Sequence, residues 1–142
     1  MIGVLIVSHG RLAAELVAAA VHVMGPQSCF RAFAIEPDDD PTQKRDEILA
    51  AARDCECGDG VILLTDMFGG TPSNLAHSIL RLGRFEVISG VNLPMLITLA
   101  QVRKTHGLEE AAKAAMEAGR QYITLSSSIL ARPNRSTDSA AS

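Results

Sequence analysis

The fold of this chain is decided by the stretch Val61-Ile62-Leu63-Leu64-Thr65-Asp66-Met67-Phe68-Gly69-Gly70-Thr71-Pro72. Its first five residues form an apolar run, which is typical of a parallel strand covered on both faces. The carboxylate of Asp66 and a glycine-rich loop follow this strand, and a helical pattern begins after the loop. We therefore expect polar groups at the carboxyl end of a buried strand, which is where α/β proteins keep their sites.

The amino terminus has the same arrangement. An apolar run from Ile2 to Val7 is followed by Ser8-His9-Gly10 and then by an amphipathic helix from about Arg11 to Met24. The run has no basic residues before it and no small-residue cleavage site after it, so we interpret it as a strand and not as a signal peptide. No stretch approaches the ~20 apolar residues of a membrane span, and we expect a cytoplasmic protein.

Strands alternate with helices along the rest of the chain. Further strands are predicted at Phe30 to Ile35 and Phe85 to Ser89, with helices between and after them. This order favours an α/β fold: an open, doubly wound sheet of four parallel strands in the order 2-1-3-4, with helices on both faces. The first and third strands are then neighbours, and His9 should face Asp66 across the crevice between their loops.

The remaining elements complete one domain over residues 1–130. Asp40 and Gln43 resemble a capping box for a helix that runs to about Asp54, and Thr71 is the expected N-cap of a helix that ends at Gly83. Residues Tyr122 to Leu125 are predicted to form a short fifth strand. Residues 131–142 are too polar to be buried and are predicted to be a disordered tail.

Composition excludes several classes of function. The net charge is −3 and the basic residues are scattered, which argues against a nucleic-acid-binding protein. The cysteines Cys29, Cys55 and Cys57 have no CxxC spacing, and we expect reduced thiols. Three consecutive aspartates, 38–40, precede a helix, where their carboxylates are expected to stabilise the positive end of the helix dipole rather than to bind a metal. We predict neither a metal nor a cofactor. Neither a hydrolase G-x-S-x-G elbow nor a nucleotide-binding P-loop occurs.

A histidine beside a carboxylate has a defined chemistry. If Asp66 accepts a hydrogen bond from one ring nitrogen of His9, the other nitrogen is left unprotonated and nucleophilic. Gly10, Gly69 and Gly70 allow close approach of a ligand, and the Thr71 hydroxyl and two helix amino termini suit a dianionic phosphoryl group. Arg11 follows the histidine and could steer the phosphate, although it could equally be a solvated residue of the first helical turn.

These motifs resemble a known family. The sequences Val-Ser-His-Gly at residues 7–10 and DMFGGTPSNLA at residues 66–76 are similar to the enzyme IIA domain of the mannose-family phosphoenolpyruvate-dependent sugar phosphotransferase system. The resemblance covers about residues 1–125. It implies that His9 carries a phosphoryl group, that Asp66 hydrogen-bonds the imidazole, and that the loop from Phe68 to Thr71 closes around the phosphate.

The resemblance also implies partners. Phospho-HPr would be the donor and a IIB domain the acceptor, in functional association with membrane permease subunits. No IIB domain follows the fifth strand, so we expect the acceptor to be a separate protein. The family forms homodimers in which the last strand is exchanged, and the predicted fifth strand could do so here.

Two other functions remain open at this point. The chain could be a regulatory module in which the phosphorylation state of His9 controls the binding of partner proteins. It could also be the phosphoryl-donor subunit of a dihydroxyacetone kinase, which is similar in fold, although the glycine-rich motif favours the mannose class.

Overall fold

The computed structural model describes residues 1–130 and contains a four-stranded parallel sheet in the order β2-β1-β3-β4. This confirms the four predicted parallel strands and their order. The strands are β1 (Gly3–His9), β2 (Phe30–Ile35), β3 (Val61–Thr65) and β4 (Phe85–Ser89). The helices are α1 (Leu12–Met24), α2 (Pro41–Cys55), α3 (Thr71–Ser78), α4 (Leu93–Val102), α5 (Leu108–Gln121) and α6 (Ser126–Leu130), with a 3-10 turn at Leu80–Leu82.

Successive side chains of β1 point to opposite faces of the sheet and belong to two separate hydrophobic cores. Leu5 and Val7 pack on one face of the sheet with residues of α2 and α3. Val4 and Ile6 pack on the other face with residues of α1, α4 and α5. Since successive strand side chains point to opposite faces, a continuous apolar run serves both cores at once. The fold is therefore doubly wound, and α1 and α3 leave the sheet on opposite faces.

Two predicted helix boundaries differ in the structure. Helix α3 ends at Ser78 rather than at Gly83, because the chain then tightens into the 3-10 turn and the Ser78 hydroxyl donates to the main-chain oxygen of Leu75 at 2.6 Å. Thr71 is the first residue of α3, and its N-cap is Gly70. The Thr71 hydroxyl is therefore not used to cap the helix.

The start of α2 is capped nearly as predicted. Asp40 is the N-cap and Pro41 the first helical residue, but the Asp40 carboxylate accepts from the main-chain N–H of Thr42, at 3.1 Å, and not from that of Gln43. The cap is therefore a single Asp bond to the second helical residue and not the predicted capping box.

The predicted fifth strand is not formed within residues 1–130. Residues 122–125 are irregular, and the main-chain N–H groups of Tyr122 and Ile123 still donate to residues of the last turn of α5. A strand requires a neighbouring strand whose main-chain groups complete its hydrogen bonds, and within residues 1–130 this segment meets none. Its side chains are exposed, with Ile123 at 75% and Leu125 at 68%.

The expectation of three reduced thiols is also wrong, because Cys29 and Cys57 form a disulfide. Cys29 precedes β2 and Cys57 precedes β3, and their Cα atoms lie 6.7 Å apart at the amino end of the sheet. These two loops come together because β2 and β3 both flank β1, which the spacing of the cysteines does not reveal. Cys55 is a free, buried thiol, as expected.

The predicted tail, residues 131–142, lies outside the described residues. The longest helix of the part that is described, α2, has 15 residues. In residues 1–130, no helix combines the length and the apolar character needed to cross a membrane.

Candidate functional site

The loops that follow β1 and β3 meet at the carboxyl edge of the sheet. The two strands are paired in parallel, with Val7 opposite Thr65, so His9 and Asp66 come off neighbouring strands at nearly the same level. Because α1 and α3 then turn to opposite faces of the sheet, an open crevice remains between the two loops.

The structure brings His9 and Asp66 into direct contact. Asp66 Oδ2 lies 2.7 Å from His9 Nδ1 and also accepts the main-chain N–H of His9 at 2.9 Å. The other carboxylate oxygen, Oδ1, accepts the main-chain N–H of Met67 at 3.0 Å. With the carboxylate held at both oxygens, Nδ1 is assigned as the protonated ring nitrogen, and Nε2 carries the lone pair. The His9 side chain is 53% exposed, so this nitrogen is open to a partner.

The same contacts keep the carboxylate ionised. Burial alone would raise the pKa of Asp66, since its side chain is only 10% exposed. The hydrogen bonds from the main-chain N–H and ring of His9 act in the opposite direction and outweigh burial, so that the pKa of Asp66 lies below its usual value. A negative charge is therefore available to balance positive charge that develops on the imidazole.

Glycines shape the loop around the imidazole. Gly69 has a φ of +89° and Gly10 a φ of +53°, conformations that side chains with a Cβ rarely adopt. Gly70 serves a different purpose, because a Cβ there would lie 3.1 Å from His9 Cε1 and 3.6 Å from Nε2. The absence of that side chain lets the loop lie directly against the reactive edge of the ring.

A cavity of about 510 Å³ opens beside His9. Gly10 and Thr71 line it together with His9, and Gly70, the N-cap of α3, lies against the Nε2 edge of the ring. The predicted loop residues Phe68 and Gly69 are exposed, Phe68 at 77%, and neither lines this cavity, since Phe68 lines a second groove instead. The Phe68 ring packs edge-on against the ring of His77, with centroids 5.9 Å apart.

Arg11, like Phe68, does not line this cavity. Its side chain is 85% exposed, and its guanidinium lies 3.4 Å from Glu15 of the same helix rather than in the cavity. The cation that does line the cavity is Lys44 of α2, which the sequence reasoning missed. The sequence indicated only that the residues after β2 approach this corner, because β2 ends at the same edge of the sheet, and not that Lys44 lines the cavity.

The chain is similar to known proteins over most of its length. The family model described as the PTS (phosphotransferase system) fructose IIA component matches residues 3–116. The mannose-specific EIIAB component of Escherichia coli K12 is 30% identical over 124 residues, which are 86% of this chain and 38% of that protein. The fructose-specific EIIA component of Bacillus subtilis is 28% identical over 111 residues, 78% of this chain and 76% of the relative.

Solved structures show the same fold. The mannose/sorbose-specific IIA subunit from Enterococcus faecalis superposes with a TM-score of 0.78 at 25% identity, covering 87% of this chain and 93% of that one. The EIIA component from Streptococcus agalactiae superposes with a TM-score of 0.81 at 21% identity, covering 90% and 99%. The chain spans just over a third of the length of the EIIAB proteins, and the family model matches most of the chain itself. This protein therefore belongs to the family of phosphotransferase system fructose IIA components.

Proposed function

We propose that this protein is a phosphoryl carrier of a sugar phosphotransferase system. His9 accepts a phosphoryl group from the phosphohistidine of HPr and passes it to a IIB protein. The observation that carries the proposal is the 2.7 Å contact between His9 Nδ1 and Asp66, because it leaves Nε2 unprotonated and exposed at the mouth of a cavity.

The transfer step needs only groups that are present in the two proteins. The Nε2 lone pair of His9 attacks the phosphorus of the donor, and the phosphorus–nitrogen bond of the donor breaks. The electron pair of that bond returns to the donor imidazole. The ring of His9 gains positive character as the new bond forms, and the ionised carboxylate of Asp66 balances it. The reverse sequence of events delivers the phosphoryl group to the acceptor.

The cavity supports a phosphoryl group without trapping it. The amino end of α3 lies beside the imidazole and Thr71 lines the same cavity, and a helix amino terminus stabilises an anion by about 0.3–2 kcal/mol. A stabilisation of ~4 kcal/mol beyond that of the partners would shift the handover equilibrium by about a thousandfold. A carrier must release the phosphoryl group, so it requires the weaker stabilisation. An open site with a half-exposed histidine is consistent with this.

Phosphorylation can be tested directly. We expect incubation with phosphoenolpyruvate, enzyme I and HPr to give an acid-labile, base-stable label that His9→Ala abolishes. Asp66→Asn should slow labelling by about 10²–10⁴-fold, because an asparagine amide can hold the ring in the wrong tautomer. The control variants His22→Ala, His77→Ala and His106→Ala should label as the wild type does. A label that persists in His9→Ala would refute the assignment.

The acceptor follows from the same proposal. The mannose-specific relative from Escherichia coli K12 is named as an EIIAB component, and we propose that this chain serves a IIB protein in the cytoplasm, in functional association with membrane permease subunits. Transfer of the label from phosphorylated protein to a purified IIB protein would support this role. Failure of transfer, together with partner binding that depends on phosphorylation of His9, would instead favour the regulatory function.

We also propose that the protein works as a homodimer. The outer edge of β4 is unpaired in the described chain and borders a groove of about 540 Å³, which is lined by strand residues such as Val87 and Ser89 and by α5. The exposed apolar segment 122–125 could supply the missing strand to the groove of a second copy. Phe68 lines the same groove, so the interface would reach the loop beside His9.

A further inference from the structure

The cavity beside His9 contains an unexpected set of charges. Its wall includes the carboxylates of Glu36 and Asp39 from the loop after β2, and the ammonium-bearing side chain of Lys44 from α2. Among the lysines and arginines of the described chain, Lys44 alone lines this cavity. A dianionic phosphoryl group on His9 would therefore enter a space that already holds two negative groups and one positive group.

Lys44 lines the cavity, and its ammonium group has hydrogen-bond donors that are not used. Its ammonium lies 3.0 Å from Glu47 Oε1 and 3.8 Å from Asp39 Oδ2, the latter being longer than a hydrogen bond. The side chain is 23% exposed, and the ammonium lies 5.6 Å from the centroid of the Phe33 ring. Because an ammonium has three donors and only Glu47 takes one at hydrogen-bond distance, donors remain for another acceptor.

We infer that Lys44 binds the phosphoryl group carried by His9, releasing Asp39 and donating to a phosphoryl oxygen while Glu47 keeps its contact. This inference rests on the proposed function and goes beyond it, because it names the cation that balances the carried charge. The flexible four-carbon stem of lysine lets the ammonium change partner within the cavity that Lys44 and His9 both line, without displacement of α2.

The surrounding groups explain why a cation is needed there. Asp39 Oδ2 accepts the main-chain N–H of Glu36 at 2.7 Å, which fixes this carboxylate in the loop beside the cavity. An unbalanced phosphoryl dianion would be repelled by it. The hydrogen bond to Glu47 outweighs desolvation and raises the pKa of Lys44, so the ammonium remains charged at neutral pH.

The inference predicts opposite effects of two substitutions. Lys44→Gln should lower the equilibrium constant for transfer from phospho-HPr to His9 by about threefold to tenfold, since a partly solvated charge interaction is lost. Asp39→Asn should raise that constant, because a competing carboxylate is removed while the amide oxygen can still accept from Glu36. Loss of folding alone would not move the two variants in opposite directions.

The experiment measures the phosphorylated fraction of each variant at equilibrium with a known ratio of phospho-HPr to HPr. Lys44→Arg, which keeps the charge, should remain within about twofold of the wild type, and Lys104→Gln, which removes an exposed lysine outside the cavity, should match the wild type. If the wild type is not labelled on His9, the proposed function fails. If it is labelled and Lys44→Gln has the wild-type equilibrium constant, this inference alone is overturned.

Discussion

At the residue scale, one carboxylate oxygen fixes both the main chain and the ring of His9. Asp66 Oδ2 accepts from the main-chain nitrogen at 2.9 Å and contacts Nδ1 at 2.7 Å. The position of the imidazole and its tautomer therefore depend on the same atom. A substitution of Asp66 must affect the stability of this corner of the sheet as well as the chemistry of the site.

The contribution of Asp66 to stability should depend on pH. Because its pKa is lower in the folded protein, the contribution is fully present above the unfolded pKa of about 3.9 and is lost as the pH falls through the folded value. We expect Asp66→Asn to lower the free energy of unfolding by about 1–2 kcal/mol at pH 7, and we expect the difference from wild type to shrink below about pH 4. Urea unfolding at pH 7, 5, 4 and 3 measures this difference.

An exposed carboxylate provides the matched control for that experiment. Asp38→Asn should leave the free energy of unfolding within about 0.5 kcal/mol of the wild type, since Asp38 lies on the surface of the loop after β2. If the free energy of unfolding of Asp66→Asn stays below that of the wild type by the same amount from pH 7 to pH 3, stability does not depend on the ionisation of Asp66, and the prediction is wrong.

The contact of His9 with Asp66 was predictable from the sequence, and the charge in the cavity was not. Parallel strands that are neighbours end at the same edge, so a strand order of 2-1-3-4 already places the two loops side by side. Whether Arg11 or Lys44 reaches the cavity depends on which way α1 and α2 present their first turns. Sequence spacing alone does not contain that orientation.

At the scale of elements, the strands were easier to predict than the helix ends. Three strands have the predicted bounds, β2, β3 and β4, because apolar runs bounded by turn residues are short and unambiguous. Helix α3 ended early because a serine side chain competes with the helical hydrogen bonds near Ser78. The predicted fifth strand is not seen in residues 1–130 because a single described chain provides no strand beside residues 122–125, so that it stays a prediction about the dimer.

The disulfide between Cys29 and Cys57 should stabilise the amino end of the sheet. It closes a loop of 28 residues that contains β2 and α2, and so restricts the unfolded chain. We expect a strong reductant, or the substitution Cys29→Ser, to lower the free energy of unfolding by about 2–4 kcal/mol. Thermal or urea unfolding of oxidised and reduced protein measures this loss.

The double variant Cys29→Ser, Cys57→Ser is the control for the reductant. Its unfolding midpoint should be the same with and without reductant, because the remaining Cys55 is a free, buried thiol. If the wild-type protein also unfolds identically under both conditions, the pair is reduced in solution, and the disulfide does not contribute to stability.

At the scale of the whole molecule, the two ends of the sheet differ in the contacts that stabilise them. At the amino end, the buried Arg103 donates to the main-chain oxygens of Ile2 and Cys29, and the disulfide ties the adjacent loops together. At the carboxyl end, the loop that bears Met67 and Phe68 is exposed. This division suits a carrier, because the scaffold is fixed at one end while the other remains open to donor and acceptor.

Dimerisation is the prediction that concerns the whole molecule. Light scattering coupled to size exclusion should give about twice the chain mass of 15.1 kDa. Ile123→Asp should give the monomer mass, because it places a charge in the apolar segment that we propose to enter the groove beside the partner's β4. Leu82→Asp is the matched control, since Leu82 is an exposed apolar residue outside that groove, and it should leave the dimer mass unchanged. A wild-type chain that remains monomeric throughout the micromolar range would exclude the dimer.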